Sequence, residues 1–201
     1  MLYRAFKRGF DFISASIMVI AISPLLLVLM VMVKFSIGSP IFFVQRRTGL
    51  HMKEFKIIKF RSMTNEVDET GKLLSDEKRI TKVGKFLRAT SLDELPELFS
   101  IIKGDMSVIG PRPLPPTYDR YYSEREKKRF DVRGGLVPPE VLYNNVQPTW
   151  EEQLEYEANY AENLSLRLDI LIILTVFKGL FKRYNNDYGE YVRKSLIEER
   201  E

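Results

Sequence analysis

No cysteine occurs among the 201 residues, and histidine and tryptophan occur once each. The first absence excludes disulfides, thiolate metal sites and a cysteine nucleophile, and it suits a reducing compartment. The lone His51 lies in Gly49-Leu50-His51-Met52-Lys53, a polar connection between two apolar runs, where an exposed turn is expected. Ser-His-Asp triads and multi-histidine metal centres are thereby set aside, so any group transfer must rest on carboxylates, lysine and arginine. Charge of one sign is not in large excess either. With 31 Lys and Arg against 27 Asp and Glu, the net +4 favours anionic partners without choosing among phosphates, a lipid surface and nucleic acid. The length suits one globular core, and no internal repeat or low-complexity segment stands out.

What the chain does have is one long uncharged run, Phe12 to Val33, interrupted in polarity by Ser14, Ser16 and Ser23. As a straight helix it would measure roughly 33 Å, enough for a bilayer core of about 30 Å. Basic residues flank both ends: Arg4, Lys7 and Arg8 before, Lys34, Arg46 and Arg47 after. The positive-inside bias therefore marks both ends as cytoplasmic. Pro24 removes a backbone donor near the middle and its ring crowds the Ile20 carbonyl, which the Ser23 hydroxyl could satisfy. Each half alone is about a dozen residues, too short to span. A broken helix entering and leaving by one face and a kinked spanning helix both fit. A cleaved signal peptide fits less well, because its apolar core would be too long.

Beyond the run, residues 41–45 and 55–60 are rich in β-branched and aromatic side chains and read as a β-hairpin. Residues 64–79 read as a charged surface loop or short helix. Apolar spacing from Ile80 predicts two short helices separated at Arg88 to Ser91, the second ending at Gly104. Four prolines between Gly110 and Pro116 predict a stiff, extended loop, and residues 118–130 a charged helical stretch. A Gly and Pro loop from Gly134 to Pro148 precedes a polar helix at 150–160. Residues 165–184 form an amphipathic stretch, packed on a core or lying on a membrane interface. The fold class expected is mainly α with a small β-hairpin, that is α+β.

Chemistry concentrates in Ser91-Leu92-Asp93-Glu94-Leu95-Pro96. Ser91 and Glu94 have capping-box spacing, and a helix start there would favour an ionised Asp93 and bound phosphate. Arg112, between Pro111 and Pro113, has a stiff backbone and a guanidinium suited to phosphate oxygens. Lys59 and Arg61, two apart on a strand, would share a face as a cationic pair. Asp105 reads as a residue following a helix cap. Capping, surface arginine and solvated strand charge are the bland counterparts of these readings.

Four segments in order carry a resemblance: Phe43-x-Gln45-x-Arg47-x-Gly49, Lys59-Phe60-Arg61-Ser62-Met63, Arg88-x-x-Ser91-Leu92-Asp93-Glu94-Leu95-Pro96 and Gly104-Asp105-Met106-Ser107-x-x-Gly110-Pro111-Arg112-Pro113. Together they resemble the small monotopic phosphoglycosyl transferases, or bacterial sugar transferases, over nearly the whole chain. The resemblance implies a re-entrant membrane helix broken at Ser23-Pro24 in residues 1–40. It implies a cytoplasmic catalytic domain with amphipathic, membrane-associated helices in residues 41–201, at the inner face of a bacterial plasma membrane. It also implies that Asp93 attacks the β-phosphate of a UDP-sugar, releasing UMP, and that a polyprenol phosphate then accepts the sugar phosphate. Glu94 would be the Mg2+ ligand, and Lys59, Arg61, Arg88 and Arg112 would bind substrate phosphates. Such a step opens the membrane assembly of a polysaccharide, O-antigen or glycoprotein glycan.

The chain departs from the commoner family pattern after Arg133. Gly134-Gly135-Leu136-Val137-Pro138-Pro139-Glu140-Val141 stands where Pro-Gly-Ile-Thr-Gly and Ala-Gln-Val-Asn are usual, in a loop implicated in recognising the nucleotide-sugar. Tyr160-x-x-Asn163-x-Ser165-x-x-x-Asp169 matches the family but carries no assigned role. A membrane-tethered basic module for anionic lipid or nucleic acid is the rival reading. It leaves the Asp93-Glu94 dyad unexplained, and nucleic acid is not an expected partner. Direct attack of the lipid phosphate, without a covalent adduct, is a second enzymatic course.

Overall fold

In the computed structural model, which describes residues 2–143, 148–182 and 193–201, the uncharged run forms the larger part of one helix, α1 (Leu2–Ser36). Its sequence offers no Gly pair that would end it, and helical backbone continues through Pro24. The Ser23 hydroxyl donates to Ile20 O at 2.8 Å, so the carbonyl displaced by the proline ring keeps a partner. The expected break at Ser23-Pro24 is therefore not an interruption of helical backbone. The helix is long and apolar enough to cross a membrane, and most of its apolar window is exposed.

One stripe of α1 is buried. Ile22, Leu26, Leu29, Met30 and Val33 recur at three- and four-residue spacing and pack against Phe60 and Leu87. That cluster organises a compact unit of residues 12–45 and 56–103. The hairpin is β1 (Phe42–Thr48) and β2 (Glu54–Phe60), close to its expected limits. His51 sits exposed in the turn with a left-handed backbone, φ 55°. Three short helices follow: α2 (Asp76–Arg79), α3 (Lys82–Ala89) and α4 (Glu97–Lys103). Thr81 caps α3 by accepting from the Gly84 amide at 2.9 Å. A side chain at Gly84 would place its Cβ 1.8 Å from Ser62 O. Only glycine lets α3 lie this close to the exit of β2.

Residues 1–11, 46–55 and 104–201 make the other compact unit. It holds β3 (Ser107–Ile109), β4 (Gly135–Val137), α5 (Trp150–Glu162), α6 (Leu166–Lys182) and α7 (Leu196–Arg200). Strand β3 pairs in parallel with β4, Ser107 opposite Gly135 and Ile109 opposite Val137. This second two-stranded sheet was not expected from sequence, because three-residue strands are too short to show a period. The predicted helix at 118–130 is corrected to two 3-10 turns, Pro116–Tyr121 and Glu126–Asp131. Of the loop at 134–148, residues 144–147 lie outside the described residues, as do 183 and 184 of the amphipathic stretch. The contact-defined units interleave along the chain. The expected division near residue 40 concerns membrane and cytoplasm, which these contacts do not address.

The Tyr160 to Asp169 motif acquires a place here. Asp169, on α6, accepts from Tyr3 and Tyr160 hydroxyls at 2.6 Å each and from Lys7 at 2.8 Å. Asp11, in turn, accepts from Ser107 Oγ at 2.7 Å and the Val108 amide at 3.0 Å. The first turns of α1 are thus tied to α6 and β3 by buried polar bonds, whose loss would leave charges stranded. Helix α6 buries Ile172 but exposes Leu166, Ile170, Leu171, Leu174 and Phe177. It has both a core face and an exposed apolar outer face.

Candidate active site

Asp93 and Glu94 lie on a single 3-10 turn, Leu92–Glu94, between α3 and α4. The turn is entered through Ser91 at φ 56°, a left-handed conformation that a serine adopts at some cost. The expected Ser91–Glu94 capping box does not form: Ser91 makes no cap bond, and α4 begins only at Glu97. Glu94 is drawn elsewhere, its Oε1 2.6 Å from Lys59 Nζ. The same Thr or Ser to Glu spacing is realised as a full capping box at Thr149 and Glu152 and at Ser195 and Glu198.

Lys59, on β2, also lies 3.2 Å from Glu97 Oε1. One ammonium therefore stands between two carboxylates, with Asp93 adjoining. Glu97 was not singled out from sequence. Its spacing of three from Glu94 was the available signal, since residues so separated tend to share a helical face. The helix-start argument for a readily ionised Asp93 is corrected as well. Burial, then the neighbouring Glu94 charge, push its carboxyl above the ordinary aspartate value, and Lys59 and Arg88 only partly offset this.

The basic residues divide in their tasks. Arg88 is exposed on α3 and donates from Nε to Ser62 Oγ at 2.9 Å. Arg61 is buried and donates to Met63 O and Ser39 O at 2.8 Å each. Lys59 and Arg61 thus act separately: one faces the carboxylates, the other braces the chain around Ser39.

Arg112 belongs to the other unit. Its side chain is exposed while Pro111 and Pro113 on either side are buried. The Arg112 amide donates to Glu157 Oε1 at 3.0 Å, and its carbonyl accepts from Arg129 Nη2 at 2.5 Å. The preceding carbonyl, Pro111 O, accepts from the Gly135 amide at 2.9 Å. A side chain on Gly135 would come within 2.0 Å of the Gly110 nitrogen, so the tight approach of β4 to this segment requires glycine. Arg129 and Glu157 themselves form a fully buried ion pair at 2.6 Å. Glu140, nearby, is pushed up to about 8 by burial and by the charge of Glu157. None of these three was legible as a partner of Arg112.

Among the described residues no group of three or more His, Asp or Glu forms a metal cage. Mg2+, however, is commonly held by one or two carboxylates and completed by substrate phosphates and water. Glu94 supplies a hard oxygen donor of that kind, so the residues fit a cation held jointly with a pyrophosphate.

The family profile for bacterial sugar transferases matches residues 2–183. A Bacillus subtilis (strain 168) protein named as the uncharacterized sugar transferase EpsL is 42% identical over 175 residues, 87% of this chain and 87% of that one. The UDP-glucose:undecaprenyl-phosphate glucose-1-phosphate transferase of Klebsiella pneumoniae is 39% identical, over 89% of this chain but 41% of its own length. The UDP-N-acetylgalactosamine-undecaprenyl-phosphate N-acetylgalactosaminephosphotransferase of Aeromonas hydrophila is 34% identical, over 89% of this chain and 44% of its own. The chain spans less than half of each of these last two relatives.

Proposed function

Because the chain belongs to the bacterial sugar transferase family, we propose that it transfers a sugar phosphate from a UDP-sugar to a polyprenol phosphate through a covalent aspartyl intermediate. The observation that carries this reading is the Asp93-Glu94 turn with Lys59 seated against Glu94. The names of the Klebsiella and Aeromonas relatives support the substrate classes.

In the first step an Asp93 oxygen forms a bond to the β-phosphorus, and the bond to the bridging oxygen breaks, its electron pair leaving with UMP. In the second, a lipid phosphate oxygen attacks the same phosphorus and the Asp93 bond breaks, regenerating the carboxylate. Asp93's raised pKa leaves a basic, strongly nucleophilic carboxylate once ionised. Lys59 and Arg88 offset negative charge near the nucleophile, and Arg112 offers a bidentate fork to phosphoryl oxygens. Glu94 would hold Mg2+, which when bound supplies charge neutralisation on the pyrophosphate. The exposed apolar faces of α6 and α1 support association with a bilayer, where a polyprenol phosphate resides. The basic flanks of α1 favour a re-entrant path from the cytoplasmic face of a bacterial plasma membrane, and the loop at 134–148 sets the choice of sugar.

The test uses purified protein, Mg2+ and a panel of UDP-sugars without lipid acceptor. UMP release and a mass gain of one sugar phosphate are expected for the native protein, and neither for Asp93→Asn. An adduct on Asp93→Asn would refute the assignment. For the path of α1, single cysteines at the exposed Arg4 and Ser36 should both resist an impermeant reagent in intact cells and react after the cytoplasm is opened. Labelling of either from outside would rule out re-entry.

A further inference from the structure

The start of α1 also walls a cavity of about 220 Å³, together with the Leu50-His51 turn and later residues of the same unit. Every lining residue belongs to residues 1–11, 46–55 and 104–201. Liquid water takes about 30 Å³ a molecule, so the cavity has room for a phosphate group and several waters. Its wall is basic: Arg4, Lys7, Arg8 and Arg133 line it against two carboxylates, Asp11 and Asp131. Asp169 stands behind Lys7 at 2.8 Å, and counting it still leaves four cations against three carboxylates. Asp11, moreover, directs its oxygens to Ser107 Oγ and the Val108 amide.

Two of the guanidiniums converge on Gly104. Arg133 Nε donates to its carbonyl at 2.8 Å, and a side chain on Gly104 would set its Cβ 3.1 Å from Arg8 Nη2. Like charges gathered at one residue repel, and an anion beside them offsets that repulsion. A topological bias accounts for Arg4, Lys7 and Arg8, which flank an apolar run. It does not account for Arg133, which reaches the same cavity from the segment just before β4.

The surroundings point to the source of the anion. Phe6 and Phe10 of α1 are exposed, as are Leu166, Ile170 and Leu174 of α6. Asp169 ties these two stretches together through Tyr3 and Lys7. Leu164, just ahead of α6, lines the cavity itself. Basic groups bordering exposed apolar helix faces can take a lipid phosphate while its chains lie alongside.

We propose that this cavity binds the headgroup phosphate of an anionic phospholipid, with Arg4, Arg8 and Arg133 supplying charge-assisted hydrogen bonds. The lipid part rests on the reading of α1 and α6 as facing a bilayer; the phosphate part does not.

The experiment measures binding of short-chain phosphatidylglycerol and of inorganic phosphate, separately and in competition, to full-length protein in a non-ionic detergent. Arg4→Gln/Arg133→Gln is compared with a charge-matched control, Arg167→Gln/Lys178→Gln, at exposed positions of α6, and each is checked for a cooperative melt. The native protein should hold phosphatidylglycerol more tightly than phosphate, and phosphate should displace it. The first doublet should weaken lipid binding about 10-fold or more, as loss of a charged hydrogen bond implies. The control should change it less than about twofold, because exposed charges at a distance are screened. Should the first doublet fail to melt cooperatively, Arg4→Gln alone, at an exposed position, carries the same expectation. Equal loss in both doublets, or none in the first, overturns the site and leaves the bilayer reading standing. Phosphate binding as tight as that of the lipid, with both lost in the first doublet, overturns the lipid assignment instead, and is the result that failure of the bilayer reading would give.

Discussion

Each compact unit sets a cation against carboxylates, and the two arrangements are opposites. Arg129 and Glu157 are balanced, one charge against one, with nearly every donor and acceptor used and no solvent contact. Lys59 stands between Glu94 and Glu97 with Asp93 beside them and Arg88 also acting on Asp93, and a fifth of the Lys59 and Glu94 side chains is open to solvent. The first arrangement is complete. The second leaves Asp93 with a raised pKa beside a like-charged neighbour, the kind of perturbed carboxylate that marks functional sites.

Neutralising a carboxylate should therefore have contrary effects in the two places. The largest difference is expected at Asp93. Asp93→Asn should lower UMP release by roughly 10³-fold or more, since removal of a nucleophile leaves only binding and electrostatics. Yet its melting temperature near pH 7 should be equal or higher. The sign follows from linkage: with its folded-state pKa raised, Asp93 favours the fold while protonated and opposes it as pH rises through that value. A lower melting temperature at neutral pH would contradict that raised value.

Next in size is Arg129→Ala, which strands Glu157 in the interior. A loss of about 3–5 kcal/mol is expected, measurable by denaturant titration. A cost under about 1 kcal/mol would mean that water reaches the pair. Gly84→Ala comes third and separates charge from packing. Its Cβ must displace the Ser62 carbonyl, costing about 1–3 kcal/mol and disturbing the Arg88 to Ser62 bond without altering any charge. If its rate falls no more than its stability explains, the charges alone define the site. Smallest is the pH response. The acid limb of kcat/KM should lie above the ordinary aspartate value, and Glu94→Gln should move it downward by removing a like charge. An unmoved limb would assign it to another group.

Much of this was legible in local sequence. The hairpin, the helices at 82–89, 97–103 and 150–162 and the role of Ser23 toward Ile20 follow from periodicity and elementary stereochemistry. Asp93, Glu94, Lys59 and Arg112 stood out because turns, prolines and charge spacing are local signals. Ser91 misled for a definite reason: capping-box spacing is necessary but not sufficient, and Lys59, 35 residues from Glu94, competed for the carboxylate. Nothing local could have joined Arg129 to Glu157, 28 residues apart, or β3 to β4 across a long connection. Parallel pairing and buried ion pairs are decided by tertiary contacts, which a single sequence does not display.

The interleaving of the two units also orders events during synthesis. Residues 12–45 and 56–103 have all been made once Lys103 is added, so the unit bearing the nucleophile can close early. The other unit contains the first eleven residues but waits for 104–201, a delay on the order of 10 s at bacterial or eukaryotic elongation rates. Throughout that interval Tyr3, Lys7 and Asp11 lack Asp169, Tyr160 and Ser107, the groups that will receive them. A ribosome-bound chain halted before α6 should therefore protect the amides of α3 and α4 from hydrogen exchange while the first turns of α1 still fray.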